Sequence, residues 1–174
     1  MKKKRVAVAK SSRKRREPHA SRPYAPGYGI ADADKGDGLL PWSWAARQME
    51  KPENYWLATV HPAGRPHVMP VWGVWLDDAF YFSTGRKSRK GRNLASNAEC
   101  AVCNDSTEEA VVVEGRAAQV KDSAELKKLV SAYKKKYEMD PTSMGEPIFV
   151  VRPRTVFGLI EKEFPTTATK WTFS

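Results

Sequence analysis

The sequence predicts a mainly β domain with peripheral helices, built as a closed or partly closed antiparallel barrel. Three observations carry this. Runs of aromatic and β-branched residues recur at 54–60, 65–75, 79–84, 99–104, 110–120 and 148–160; short turn signals separate them; and helical spacing is confined to brief stretches between them. At 174 residues with 41% hydrophobic content, the chain suits one domain with a real core, plus a tail.

Taken in order, residues 1–16 are dominated by Lys and Arg, with only Val6, Ala7, Val8 and Ala9 as an apolar interruption. Such a segment buries too little surface to offset its ordering entropy, so disorder is expected. The basic clusters at 2–5 and 13–16 suit a solubilising tail, which is the preferred reading, or a nuclear-import or nucleic-acid arm. Residues 18–38, rich in Pro, Gly and Asp, read as irregular linker. Residues 1–38 are thus expected to be tail and linker, and 39–174 the folded domain.

Pro41 suits a first helical turn, and Trp42, Ala45, Ala46 and Met49 follow at helical spacing until Lys51-Pro52 ends the helix. The strand at 54–60 leads through the turn His61-Pro62-Ala63-Gly64 into 65–75, and Asp77-Asp78 turns the chain back through 79–84. A short helix at 89–98 precedes strands at 99–104 and 110–120. The clearest helix spans 122–137. Asp122 caps it with Glu125 three residues on; Leu126, Leu129, Val130, Tyr133 and Tyr137 line one face, and Lys127, Lys128, Lys134 and Lys135 take the other as solvated surface. The strand at 148–160 contains Pro153, which calls for an edge or a bulge there.

Between the strand ending at Ser83-Thr84 and the helix beginning near Lys90 lies the most chemically specific stretch. It holds hydroxyls at Ser83, Thr84 and Ser88, glycines at Gly85 and Gly91, and cations at Arg86, Lys87, Arg89, Lys90 and Arg92. Hydroxyls, glycine-flanked N–H groups and cations beside a helix N-terminus make an anion cradle. A solvated basic loop or a nucleic-acid patch has the same composition. The position of this run, between two apolar elements, favours the cradle.

The formal net charge of +10 points to anionic partners: phosphates, polyanionic cofactors or nucleic acid. No run approaches the ~20 apolar residues of a membrane helix and no signal-peptide core is present, so a cytoplasmic protein is expected. Cys100 and Cys103 form a Cys-x-x-Cys, but on a strand residues three apart face opposite sides, and a zinc site needs four ligands. A structural role is expected, with no metal. His61 and His67 are candidate proton donors, although each adjoins a turn or strand end.

Tyr-Trp-Leu-Ala-Thr-Val-His-Pro-Ala-Gly-Arg-Pro-His-Val-Met-Pro-Val-Trp-Gly-Val-Trp (55–75), followed by Phe-Ser-Thr (82–84) and Ser-Arg-Lys-Gly-Arg-Asn-Leu (88–94), resembles the pyridoxamine 5′-phosphate oxidase-like superfamily. It is more closely similar to the flavin/deazaflavin oxidoreductase branch. The resemblance covers about 42–173. It implies an FMN-binding split β-barrel with Greek-key-like topology, a homodimer, and FMN or coenzyme F420 held between subunits. It also implies hydride transfer to or from a small unsaturated substrate. The matching positions are Met69, Pro70, Val71 and Trp72 along the isoalloxazine ring, Ser83 and Thr84 near the ring and phosphate, and Ser88, Arg89 and Lys90 as a phosphate clamp. Trp171 matches a tail tryptophan that approaches the cofactor. The pattern by which pyridoxamine phosphate oxidases hold substrate through a C-terminal Arg and His is missing from 164–174, and His67 stands where they carry Arg, so vitamin B6 oxidation is not implied. Five cations exceed what one FMN phosphate requires, which favours the deazaflavin with its phosphodiester and oligoglutamate tail. Two other classes stay open: a non-catalytic flavin, deazaflavin or haem-like carrier of the same fold, and a nucleic-acid-binding module using the 1–16 tail.

Overall fold

The structure, a computed structural model, describes residues 17–30, 32 and 36–174. The expected disorder of 1–16 concerns residues outside these. In chain order the elements are β1 (His19–Ser21), α1 (Trp42–Glu50), β2 (Asn54–Val60), β3 (Pro66–Leu76), β4 (Ala79–Ser83), α2 (Arg89–Ser96), β5 (Glu99–Cys103) and β6 (Glu109–Gln119). Then come α3 (Ser123–Tyr137), β7 (Ile148–Ile160), a 3₁₀ turn at Glu161–Glu163, α4 (Phe164–Thr167) and β8 (Thr169–Thr172).

All pairings are antiparallel, and β7-β4-β3-β2-β5-β6 closes on itself through the β6–β7 pair. The barrel is therefore six-stranded, with the helices around its periphery. Asp77 and Asp78 both have positive φ, which gives the β3–β4 hairpin a turn whose twist matches its strands. β7 is long enough to serve two partners along one edge: 148–151 pairs with β4 and 155–158 with β8. Pro153 sits between these stretches. There the β6 register slips, with Glu114 opposite Thr155 and Gly115 opposite Pro153, so Arg154 is the extra residue of a bulge. A proline without an N–H is tolerated at that break.

Alternation divides the apolar residues between two cores. Tyr55, Leu57, Val71, Phe80, Phe82, Val102, Val111, Val113 and Val156 fill the barrel, and α1 closes over them with Ala45 and Met49. Val74, Tyr81 and Val150 point outward and are covered by Leu129 and Tyr133 of α3. Asp122 caps α3 as the sequence predicts, its Oδ1 accepting from the Glu125 N–H at 2.7 Å.

The first and last described strands, β1 and β8, are short and are not among the strands expected from the sequence. The stretch expected to be irregular linker contains β1, which pairs antiparallel with β8. Arg22, 4% exposed, donates to the carbonyl oxygens of Thr166, Ala168 and Asp37, which fastens this segment to α4. Strands of three and four residues carry too little alternation to be read from sequence.

Candidate functional site

At the end of β4 the chain leaves the barrel wall and turns tightly into α2. The turn is anchored by Pro147, whose carbonyl oxygen accepts from the Ser83 hydroxyl at 3.2 Å and from the Thr84 N–H at 3.4 Å. Ser88 is the N-cap of α2: its Oγ accepts from the Gly91 N–H at 3.0 Å. The same Oγ lies 3.1 Å from Thr84 Oγ1. Their mutual bond uses one of two hydroxyl hydrogens and leaves the other to be donated to a ligand. Gly91 permits the close approach, because a Cβ there would stand 2.3 Å from the Gly85 carbonyl oxygen and 2.9 Å from that of Arg86. Only a glycine lets the helix lie this near the turn.

Residues 86–92 carry five cations and no carboxylate. Residues 1–16 hold nine of the chain's 30 Lys and Arg and none of its 20 Asp and Glu, so the remainder is nearly neutral. Yet Arg86, Lys87, Arg89, Lys90 and Arg92 make no ion pair among the described residues. Arg92 donates instead to the Lys87 carbonyl at 2.6 Å. The β2–β3 turn brings further charge. The pKa of His61 is lowered by desolvation and then by the guanidinium groups of Arg65, Arg89 and Arg92, so the ring is neutral near pH 7. Its Nδ1 accepts from the Ala63 N–H at 3.0 Å, which puts the ring proton on Nε2.

Asn93, on α2, donates through Nδ2 to Thr59 Oγ1 at 3.0 Å and so ties the helix to β2. The hydroxyl pair and the α2 N-terminus thus share one turn, and the charges of Arg89 and Arg92 on α2 reach His61 of the β2–β3 turn. Residues 45–159 match the family of pyridoxamine 5′-phosphate oxidase.

The chain belongs to that family.

None of the curated proteins is matched by sequence. Among solved structures, an F420 reductase is 26% identical, with 63% of this chain and 93% of that one covered and a TM-score of 0.50. General Stress Protein 26 from Bacillus anthracis is 21% identical, over 67% of this chain and 92% of its own, with a TM-score of 0.56. A heme binding protein from Mycobacterium smegmatis is 19% identical, over 69% and 55%, with a TM-score of 0.58. The barrel is the one these proteins share.

Within this family member, Ser83, Thr84, Ser88, Arg89 and Lys90 fall on one turn and helix start. The run from Met69 to Trp72 does not act as one surface, because the pleat splits it. Val71 is buried in the barrel, whereas Pro70 and Trp72 lie on the outer face, where Trp72 stacks on Tyr137 at 5.0 Å and 9°. Met69, on the inner side, is 43% exposed near the barrel's end. The side chains of Met69 and Trp72 therefore face opposite ways, and a ring following this strand meets its backbone and alternate side chains.

Trp171 departs furthest from expectation. Its ring is 1% exposed, packed edge-on against Trp42 at 5.7 Å and close over Gly158, and its Nε1 has no hydrogen-bond partner among the described residues. Alternation along β8 turns Thr169 and Trp171 inward, so in this structure Trp171 is a core residue. Cys100 and Cys103 are free, and burial pushes the Cys100 thiol up to about 12, which leaves it inert. One residue at this turn carries no signal in the sequence reading: Glu146, whose Oε2 accepts from the Arg86 N–H at 2.9 Å.

Proposed function

We propose that this protein is an oxidoreductase that uses a deazaflavin, coenzyme F420, or FMN, to transfer a hydride to or from a small unsaturated organic substrate. The observation that carries the reading is the group of five cations that make no side-chain ion pair among the described residues, set around the Thr84–Ser88 hydroxyl pair and the start of α2. The donor set fits a phosphate: one hydroxyl hydrogen, helix N-terminal N–H groups and guanidinium forks. Likeness to an F420 reductase supports the deazaflavin, as does the surplus of cations over one phosphate monoester.

Ser88, Arg89 and Lys90 would hold the phosphate, and Met69 with the backbone of β3 would flank the ring. A bound flavin or deazaflavin supplies the hydride chemistry itself. The chain contributes orientation and a dry surface. Trp56, Val68 and Trp72 are each about half exposed on the outer face of β2 and β3, an apolar surface that a second copy of the chain would cover to complete the site as a homodimer. His61, neutral and carrying its proton on Nε2, stands at the rim as a hydrogen-bond donor.

The test is equilibrium titration of the purified protein with F420 and with FMN in parallel, with haemin as a third ligand. Salt-sensitive binding of F420, followed by turnover of an unsaturated carbonyl compound, is the expected result. Binding of FMN alone would keep the oxidoreductase reading and change the cofactor. Haemin binding with no affinity for either flavin would replace it with a carrier function.

A further inference from the structure

The turn between β4 and α2 already receives an anion from the chain itself. Glu146 lies in the segment between α3 and β7, just after Gly145, whose φ is +65°. Its Oε2 accepts from the Arg86 N–H at 2.9 Å, and its Oε1 is 3.5 Å from where a Cβ on Gly85 would lie. The next residue, Pro147, takes the Ser83 hydroxyl and the Thr84 N–H through a neutral carbonyl. Residues 146 and 147 therefore hold three donors of the turn, two by a dipole and one by a full charge. A glutamine oxygen would accept the Arg86 N–H equally well. What glutamate adds is negative charge, held on the N–H of Arg86, which lies two residues from both Thr84 and Ser88 in sequence.

We propose that Glu146 sets the anion affinity of this cradle by partial charge compensation. Its carboxylate offsets part of the positive potential, so an anion held by charge alone is rejected, and a phosphate-bearing ligand anchored also by its ring is retained. The inference rests on the cofactor reading above. Two unit charges ~6–8 Å apart in a partly solvated setting interact by an energy that converts to a severalfold change in affinity. The opposing charge also shortens the list of admissible ligands. Inorganic phosphate and simple phosphate esters lose the binding energy they depend on, whereas F420 or FMN draws on β3 as well.

The test compares wild type with Glu146→Gln, using inorganic phosphate, FMN and F420, together with riboflavin and the phosphate-free deazaflavin chromophore. At low ionic strength Glu146→Gln should tighten the three phosphate-bearing probes by about three- to tenfold, with a smaller gain near 0.15 M salt, and leave the two phosphate-free ones unchanged. Glu146→Asp keeps the charge and should stay close to wild type, and far-UV circular dichroism confirms that both variants fold. Unchanged affinity of Glu146→Gln for a flavin that wild type binds would overturn the inference and leave the cofactor reading standing. Equal tightening of the phosphate-free chromophores would also overturn it, by showing a change in loop shape instead of charge. If neither F420 nor FMN binds either protein, the cofactor reading falls and this inference with it.

Discussion

Five cations lie between residues 86 and 92, and five lysines lie between 127 and 136 on α3. In composition the two stretches are alike, but their surroundings are not. On α3, Lys128 meets Asp77 at 3.1 Å and Lys134 meets Asp140 at 2.9 Å. Lys136 turns beneath the helix, donating to the Tyr55 hydroxyl at 2.9 Å and to the Gly73 carbonyl at 3.0 Å, with its Nζ 4.7 Å from the centre of the Tyr55 ring. Those charges are spent on the fold. The cations of 86–92 make no ion pair among the described residues, although residues 17–174 taken together are close to neutral. Local pairing, more than the number of basic residues, separates a helix surface from a place where an anion can bind.

The strongest way to break this contrast is Gly91→Ala. Its methyl group would meet backbone carbonyl oxygens at 2.3 and 2.9 Å, which must push α2 away from the turn. Overpacking of this kind costs about 1–3 kcal/mol. The expected result is a lower melting temperature and at least a roughly tenfold loss of cofactor affinity, since one helix start places Ser88, Arg89 and Lys90 together. Wild-type affinity would mean that the turn and helix do not act as a unit.

Charge removal sharpens the contrast at smaller cost. Arg89→Ala with Lys90→Ala should weaken F420 or FMN binding severalfold to tenfold without changing the melting temperature, because each removes a cation that makes no ion pair among the described residues. Lys127→Ala with Lys135→Ala, an equal loss of charge on α3, should leave affinity unchanged. Equal losses from both pairs in titrations at physiological salt would reduce the site to a general electrostatic field.

The smallest effect belongs to Lys136. Burial lowers its pKa to about 8, opposed by Glu53 and Asp105. Between pH 8 and the ordinary lysine range near 10.5, the unfolded chain binds the proton that the folded one has released, so stability rises with pH across that window and is flat below it. Discounted for partial exposure, the rise is about 1 kcal/mol. Above pH 10 the tyrosines act in the opposite sense: Tyr133, raised to about 12 by desolvation and then by Tyr137, keeps its proton when folded and loses it when unfolded. Denaturation midpoints from pH 7 to 10 should climb in wild type and lose that climb in Lys136→Met.

Lys136 also marks where sequence reading stops. Helical periodicity gave the outer face of α3 as Lys127, Lys128, Lys134 and Lys135 and assigned Lys136 no place, which its contacts with Tyr55 and Gly73 decide. Strand and helix positions were legible to within a residue or two in most cases, because periods of two and 3.6 are strong over five residues or more. The turn at 84–92 was legible from residue type alone. Its partner Glu146 was not, since a contact spanning 60 residues leaves no local trace. Trp171 shows the complementary failure. A C-terminal aromatic reads equally well as a ligand contact or as core, and only the pairing of β8 with β7 turns it inward.

Closure of the six-strand ring leaves a sheet edge beyond β8, and β1 covers it with three residues. Little backbone remains there to template another chain. A second copy would therefore have to approach through side chains on the barrel wall and not by adding a strand, and removing residues 19–22 would open the kind of ladder along which unrelated chains aggregate.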